Sequence, residues 1–325
     1  MKKDSAKINL HFLLIAAIAL VFVACIVRLL LWNRGEDTGF DPTAVTTEFD
    51  TEPLDLFFLL TPDKLEGHPD DGVNTILFLG NDPLTTDVNE YSLLADVVAE
   101  KTGAVTYNAG FWGSTLSAKS RTYIDTVPSD AFTLAHLTQA FCSRDFSLQE
   151  SAISEIDAEF REPYGDALQV LKNADVRKLD TLVLFYDAAD MLNYRPVSDV
   201  RGIQTTNIST VCGALGFAIQ NIQETYPYLR IVIMSPFFCY SINDDGFYSS
   251  LDTEDYGHGS LPNYLLHVID VAKLYDVSLI DNYYGTITEL NATDYLTDNF
   301  QLNEEGVRLL ADRLIRFLRL LPEGG

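Results

Sequence analysis

A chain of 325 residues, 47% of them hydrophobic and with only 12 prolines and 19 glycines, has the length for one large domain plus a further segment and lacks the composition of a disordered protein. Its formal charge of −25 excludes a nucleic-acid surface, because binding phosphates needs clustered Lys and Arg. The charge is unevenly placed: residues 1–34 hold Lys2, Lys3, Lys7, Arg28 and Arg34 against Asp4, so the remainder carries the whole acidic excess.

Taken in chain order, residues 1–7 read as a short basic tail. Residues 8–32 (INLHFLLIAAIALVFVACIVRLLLW) are almost wholly apolar and about the length needed to span a bilayer. The lysines before that segment place the N-terminus in the cytoplasm and the rest outside, with Trp32 and Arg28 at the far interface. The expected location is therefore the cell membrane, through a single transmembrane helix. A cleaved signal peptide is the rival reading, although the apolar stretch exceeds a typical h-region and no A-x-A site follows. Phe22-Val23-Ala24-Cys25 also loosely resembles a lipobox. Residues 33–72, rich in Thr, Asp and Pro, read as an acidic stalk, whose one apolar patch (Leu54 to Leu60) should pack on the following domain.

From residue 73 to residue 325, short apolar runs alternate with helical periods. The strand candidates are Thr75–Leu79, Val105–Tyr107, Thr181–Phe185, Arg230–Met234 and Val277–Ile280, each short, rich in β-branched or aromatic residues and bounded by polar residues, Gly or Pro. The helical periods are Tyr91–Lys101, Thr133–Cys142, Leu148–Phe160, Asp166–Asn173, Thr210–Thr225, Pro262–Tyr275 and Asn303–Leu320. This alternation predicts an α/β domain, a flavodoxin-like three-layer α/β/α sandwich on a parallel five-stranded sheet. In such sheets function collects at the carboxyl ends of the strands. Cys142, Cys212 and Cys239, an odd number beyond the anchor, exclude a fully paired disulfide framework. No metal-ligand spacing is visible, and no cofactor is expected.

Five strand-end blocks carry a resemblance. They are Gly80-Asn81-Asp82, Asn108-Ala109-Gly110 in YNAGFWG, Asp187-Ala188-Ala189-Asp190, Ser235-Pro236, and Asp298-Asn299-Phe300-Gln301-Leu302-Asn303 with Gly306 after it. Their order and spacing resemble the SGNH (GDSL-type) hydrolases over roughly residues 73–320. The resemblance implies that Asp82 stands where that family has its nucleophilic serine and that Gly110 keeps an oxyanion-hole glycine. It further implies that Ala189 replaces the oxyanion-hole asparagine, that Asp298 retains the family aspartate, and that Gln301 replaces the histidine.

Those substitutions remove the nucleophile, an oxyanion donor and the base. Gln301 cannot shuttle a proton, and losing nucleophile and base together costs on the order of 10⁶ in turnover. Candidate rescues are few. Ser114 and Thr115 suit loop chemistry, His258 a solvated loop, His136 and His267 helix packing, and His68 the stalk; Asn207-Ile-Ser and Asn291-Ala-Thr fit the glycosylation pattern. Asp82 and Asp298 are expected to face each other, with Asp187 or Asp190 at the neighbouring strand end. Close carboxylates share a proton, hold a cation or flank a sugar as acid and base. The plainer reading is that Asp82 simply bonds to backbone or water.

The expectation is thus a non-catalytic, membrane-anchored, extracytoplasmic SGNH-like domain that binds a cell-envelope glycan or partners a membrane-bound acyltransferase, the partner being inferred from the resemblance alone. The alternatives are an active acyl hydrolase or O-acyltransferase using displaced residues, and a structural scaffold.

Overall fold

The computed structural model describes residues 18–28, 52–68, 71–85, 93–200, 202–204, 206–242 and 246–320. The chain forms two compact units, Met1–Asp50 and Thr51–Gly325. In the first, residues 18–28 are helical. The remainder of the apolar segment 8–32 lies outside the described residues, and among the described residues no helix is long and apolar enough to cross a membrane.

Among its described residues the second unit has seven strands: β1 (Thr75–Gly80), β2 (Val105–Gly110), β3 (Thr181–Phe185), β4 (Arg230–Met234), β5 (Tyr240–Ile242), β6 (Tyr248–Ser250) and β7 (Ser278–Ile280). Five form one parallel sheet in the order β2-β1-β3-β4-β7. Every residue of β1 and β3 is buried, which requires cover on both faces and accounts for their unbroken apolar sequences. The edge strand β2 is more open, with Val105 exposed. β5 and β6 form a separate antiparallel hairpin that the sequence reading did not anticipate.

Among the described residues of this unit the helices of seven residues or more are α1 (Leu94–Thr102), α2 (Leu134–Ser143), α3 (Ser147–Ile153), α4 (Ala158–Asn173), α5 (Val211–Thr225), α6 (Leu261–Leu274) and α7 (Glu304–Leu320). α1 packs beside α7, while α2, α5 and α6 pack in succession. The helix break expected near residues 161–165 lies instead at residues 154–157, and Pro163 sits inside α4, where it removes one backbone bond without ending the helix. α7 starts on Asn303, whose Oδ1 accepts from the Gly306 N–H at 2.9 Å. Val307, Leu310, Ala311, Leu314 and Phe317 form its buried stripe.

The segment before β1 belongs to this unit. Leu56 pairs antiparallel with Leu279 through two backbone hydrogen bonds of 2.8 and 3.0 Å. Leu54 N–H donates to Asp281 Oδ2 and Phe58 N–H to Ser278 Oγ, while Phe57 stacks on Phe317 at 4.3 Å. Arg313 clamps the strap, donating to Asp55 Oδ1 and to the Asp281 carbonyl, each at 2.9 Å. The strap therefore covers the open side of β7, an edge that would otherwise present unpaired backbone groups.

Candidate functional site

The carboxyl end of β1 is shaped by close backbone approach. A Cβ on Gly80 would lie 1.8 Å from the Phe185 carbonyl oxygen, so β1 can reach β3 here only with glycine. Asn81 follows, and its N–H donates to that same carbonyl at 3.2 Å. Its side chain then crosses to the β3 end. Nδ2 donates to Asp187 Oδ1 at 2.7 Å and to the Ser114 carbonyl at 3.0 Å, and Oδ1 accepts from the Asp187 N–H at 3.0 Å.

Asp82 opens a short 3-10 turn, Asp82–Leu84, and is nine-tenths buried. Its Oδ2 accepts from the Gly113 N–H at 2.7 Å. Burial raises its carboxyl above the usual range, and hydrogen bonding from Gly113 and the Trp112 side chain offsets part of that rise. Asp187, equally buried, also accepts from the Ala189 N–H at 2.9 Å. Burial first, and then the charge of Asp82, push Asp187 up to about 7. Two carboxylates at one strand edge therefore hold a proton near neutral pH.

Asp190 has a different task. It accepts from Leu116 N–H, Ser117 N–H and Ser117 Oγ, with burial again raising it and those bonds lowering it. It ties the loop after β2 to the β3 end and is satisfied there.

Two expectations are corrected by this geometry. The glycine whose N–H serves the site is Gly113, at φ +72°, and not Gly110. Gly110 lies opposite Gly80 in the strand register, where a Cβ would meet Thr85 Cγ2 at 2.6 Å and Leu84 Cβ at 2.9 Å, so its need is for close packing. The carboxylate on which the charge of Asp82 bears is Asp187, where Asp298 was expected. The Asp298 Oδ1 is turned onto its own loop, accepting from Phe300 and Gln301 N–H groups at 3.0 Å each. That loop is anchored to the hairpin, since Tyr240 N–H donates to the Asn299 carbonyl at 2.7 Å and Asn299 Nδ2 to the Tyr240 carbonyl at 3.1 Å. The Gln301 carbonyl accepts from Thr297, and its side chain makes no hydrogen bond among the described residues. Ala189 begins a short helical turn and offers only its backbone N–H.

The other candidates have structural partners. Thr115 Oγ1 donates to the Ser117 carbonyl. His136 is buried, its Nδ1 beside the Asp130 carbonyl at 2.8 Å and Thr133 Oγ1 at 3.1 Å, and burial lowers its pKa. His267 Nδ1 lies 2.8 Å from the Asn263 carbonyl, and His258 is exposed in a loop. His68 stacks on Tyr228 and meets Asp180 at 3.1 Å, pinning the far end of the strap. Asn207 and Asn291 organise turns, and all four cysteines are free. Among the described residues no group of three or more His, Cys, Asp or Glu side chains is placed to hold a metal ion.

Beside the carboxylates lies a cavity of about 20 Å³, room for one water or one methyl group. Leu116, Tyr186, Met191, Leu261 and Tyr264 line it, with Asp187 and Asp190 in its wall. Two buried hydroxyls near it, Tyr186 Oη and Ser114 Oγ, have no partner but one another.

No family model and no curated sequence matches the chain. Solved structures do. One has a TM-score of 0.54 at 16% identity, covering 77% of this chain and 98% of its own. A protein from Lactobacillus plantarum has a TM-score of 0.50 at 17% identity over 76% of this chain and 97% of its own. A protein described as a GDSL-like lipase from Bacteroides uniformis has a TM-score of 0.44 at 10% identity over 77% of this chain and 98% of its own. With its five parallel strands in the order β2-β1-β3-β4-β7 and the first four motif blocks at the carboxyl ends of β1 to β4, the second unit shares the fold of the first two of these structures.

Proposed function

We propose that this protein is a membrane-anchored, extracytoplasmic SGNH-fold domain that has lost ester chemistry and acts by binding, assisting the modification of cell-envelope glycans beside a partner such as a membrane-bound acyltransferase. One observation carries the loss of chemistry: the Asp82 carboxylate sits at the end of β1 and takes the Gly113 N–H for itself. A fixed carboxylate there repels the oxyanion that acyl transfer must develop and occupies a donor that would stabilise it. Among the described residues there is no rescue nearby. The Thr133–His136 pair lies at the start of α2 and is committed to the Asp130 carbonyl.

The test is hydrolysis of p-nitrophenyl acetate by the full-length protein in detergent, against Asp82→Ala. Equal background rates are expected. Turnover that Asp82→Ala abolishes would establish carboxylate chemistry, and turnover that survives Asp82→Ala but not His258→Ala would establish a displaced base. Anchoring is tested by adding protease to intact cells, which should digest the domain and leave residues 8–32 in the membrane fraction. Release of a soluble form starting near residue 33 would overturn it.

A further inference from the structure

The β5–β6 hairpin inverts the pattern of a half-buried sheet. Cross-strand partners share a face, so Tyr240, Ile242 and Tyr248 lie on one face and Ser241 with Ser249 on the other. The serine face is the inner one: Ser241 is 5% exposed, while Ile242 and Tyr248 are 51% and 58% exposed. Tyr240 and Tyr248 meet edge to face at 5.9 Å across the strands. Phe247, at the start of β6, is 69% exposed. The Tyr240 hydroxyl donates to the Glu289 carbonyl at 3.5 Å, which brings Leu290 alongside, and Leu290 is 94% exposed. Apolar side chains turned outward from an inward polar face lose the burial that would stabilise them, so folding alone does not account for them. A contiguous patch of this kind marks a surface with a partner.

The place where the preceding chain joins this unit points to that partner. Leu54 N–H donates to Asp281, directly after β7, so the strap enters at the carboxyl end of the sheet. The hairpin stands at the same end. β5 follows the carboxyl end of β4 after only residues 235–239, and the Tyr283 hydroxyl, just beyond Asp281, donates to Asp252, just beyond β6. In the sequence only residues 33–50 separate the apolar segment 8–32 from Thr51, a reach of about 60 Å at full extension. We propose that the β5–β6 hairpin docks on the lipid surface, with Tyr240, Ile242, Phe247, Tyr248 and Leu290 entering the headgroup region of a zwitterionic bilayer. Tyrosine suits that boundary, since its ring is apolar and its hydroxyl stays wet. A formal charge of −25 excludes adsorption through anionic headgroups, so the contact has to be apolar. A second protein chain fits worse, because five side chains fall far short of the about 20–30 residues a side of a stable interface. Weak lipid contact suffices, as an anchored chain presents its hairpin at an effective concentration of about 1 mM. The inference rests on the reading above in taking residues 8–32 as the membrane anchor.

The experiment reconstitutes the full, unsubstituted chain in phosphatidylcholine vesicles whose acyl chains carry a diazirine near the glycerol, and maps lipid adducts by mass spectrometry after irradiation. Adducts are expected on residues 8–32 and on Tyr240, Ile242, Phe247, Tyr248 and Leu290. Val105, 45% exposed at the amino end of β2 and so at the opposite end of the sheet, should carry none. The double change Ile242→Ser, Tyr248→Ser should lower the hairpin adducts about 10-fold and leave those on residues 8–32 unaltered. Both positions are exposed, and circular dichroism checks that the variant keeps its fold. Adducts confined to residues 8–32 would overturn the proposal and leave water or a second protein chain against the hairpin. Labelling of Val105 equal to that of Tyr248, or hairpin adducts that survive the double change in a natively folded variant, would overturn it too. Hairpin adducts with none on residues 8–32 would overturn the anchor and leave lipid docking standing, so the two failures are distinct.

Discussion

Asn81 holds Asp187 in both directions, giving a hydrogen to the Asp187 carboxylate at 2.7 Å and accepting one from the Asp187 backbone N–H at 3.0 Å. This amide joins the ends of β1 and β3 just past their last backbone bond, from the Asn81 N–H to the Phe185 carbonyl. Asn81→Ala should lower the unfolding free energy by about 2 kcal/mol in a urea titration, since it strands a buried N–H and a buried carboxylate. Asn81→Asp should cost more, and more at pH 8 than at pH 5, because it sets a third acidic group against Asp187. Equal stability of the two variants at both pH values would remove the clamp from the account.

The raised Asp187 sets an unusual pH dependence. In the unfolded chain an aspartate ionises near 3.9, and in the folded protein Asp187 does so at about 7. Between those values the folded state binds the extra proton, so this group makes stability fall as pH rises from about 4 to about 7 and level off above. Asp187→Asn should therefore gain on the wild type across that window, by up to about 4 kcal/mol at pH 8 relative to pH 4. Urea unfolding of both proteins across the window checks the sign.

Arg313 locks the strap to the core while only 13% exposed in its side chain. Arg313→Ala leaves the Asp55 carboxylate and the Asp281 carbonyl without that donor and should cost about 1–3 kcal/mol. Limited proteolysis should then cut within residues 52–60 well before the rest of the domain opens. Unchanged proteolysis would mean that the backbone pairing and the Phe57–Phe317 stack suffice.

Gly110→Ala inserts a methyl group against Leu84 and Thr85 and should destabilise the fold by about 1–3 kcal/mol. Urea unfolding measures that loss, and a Gly110→Ala protein as stable as the wild type would overturn the packing argument.

The triple change Asp82→Ser, Ala189→Asn, Gln301→His restores hydroxyl, donor and base together and frees the Gly113 N–H. It should raise p-nitrophenyl acetate turnover above the parent, while each single change should not, since such groups act as a unit. Turnover of the triple variant no higher than that of Asp82→Ala would mean a closed pocket or a residue 301 out of reach of residue 82.

The sheet was legible because its central strands are apolar runs buried on both faces, which leaves little ambiguity between period and burial. The placement of Asp82 and Ala189 after β1 and β3 was legible because strand ends in such a sheet share one edge. The donor glycine was not, because the choice between Gly110 and Gly113 depends on a left-handed turn after β2 that spacing does not reveal. Which acid meets Asp82 was equally hidden, since Asp187 and Asp298 are both at strand or helix ends and only loop packing turns one outward. The β5–β6 hairpin escaped because its strands are three residues long and half polar, although Asp245-Gly246 between them is a turn signal.

The direction of the strap has a mechanical consequence. Running antiparallel to β7, it meets Asp281 near residue 54 and Ser278 near residue 58, so the chain enters the unit at the end of the sheet that bears Asp82 and Asp187. Tension applied through residues 1–50 is borne first by the Leu54–Asp281 and Leu56–Leu279 hydrogen bonds and by the Arg313 clamp. The strap can peel under load while β1, β3 and β4, held by their own pairings, keep their register. A pull from the N-terminal side would thus draw out the strap before it disturbed the carboxylates.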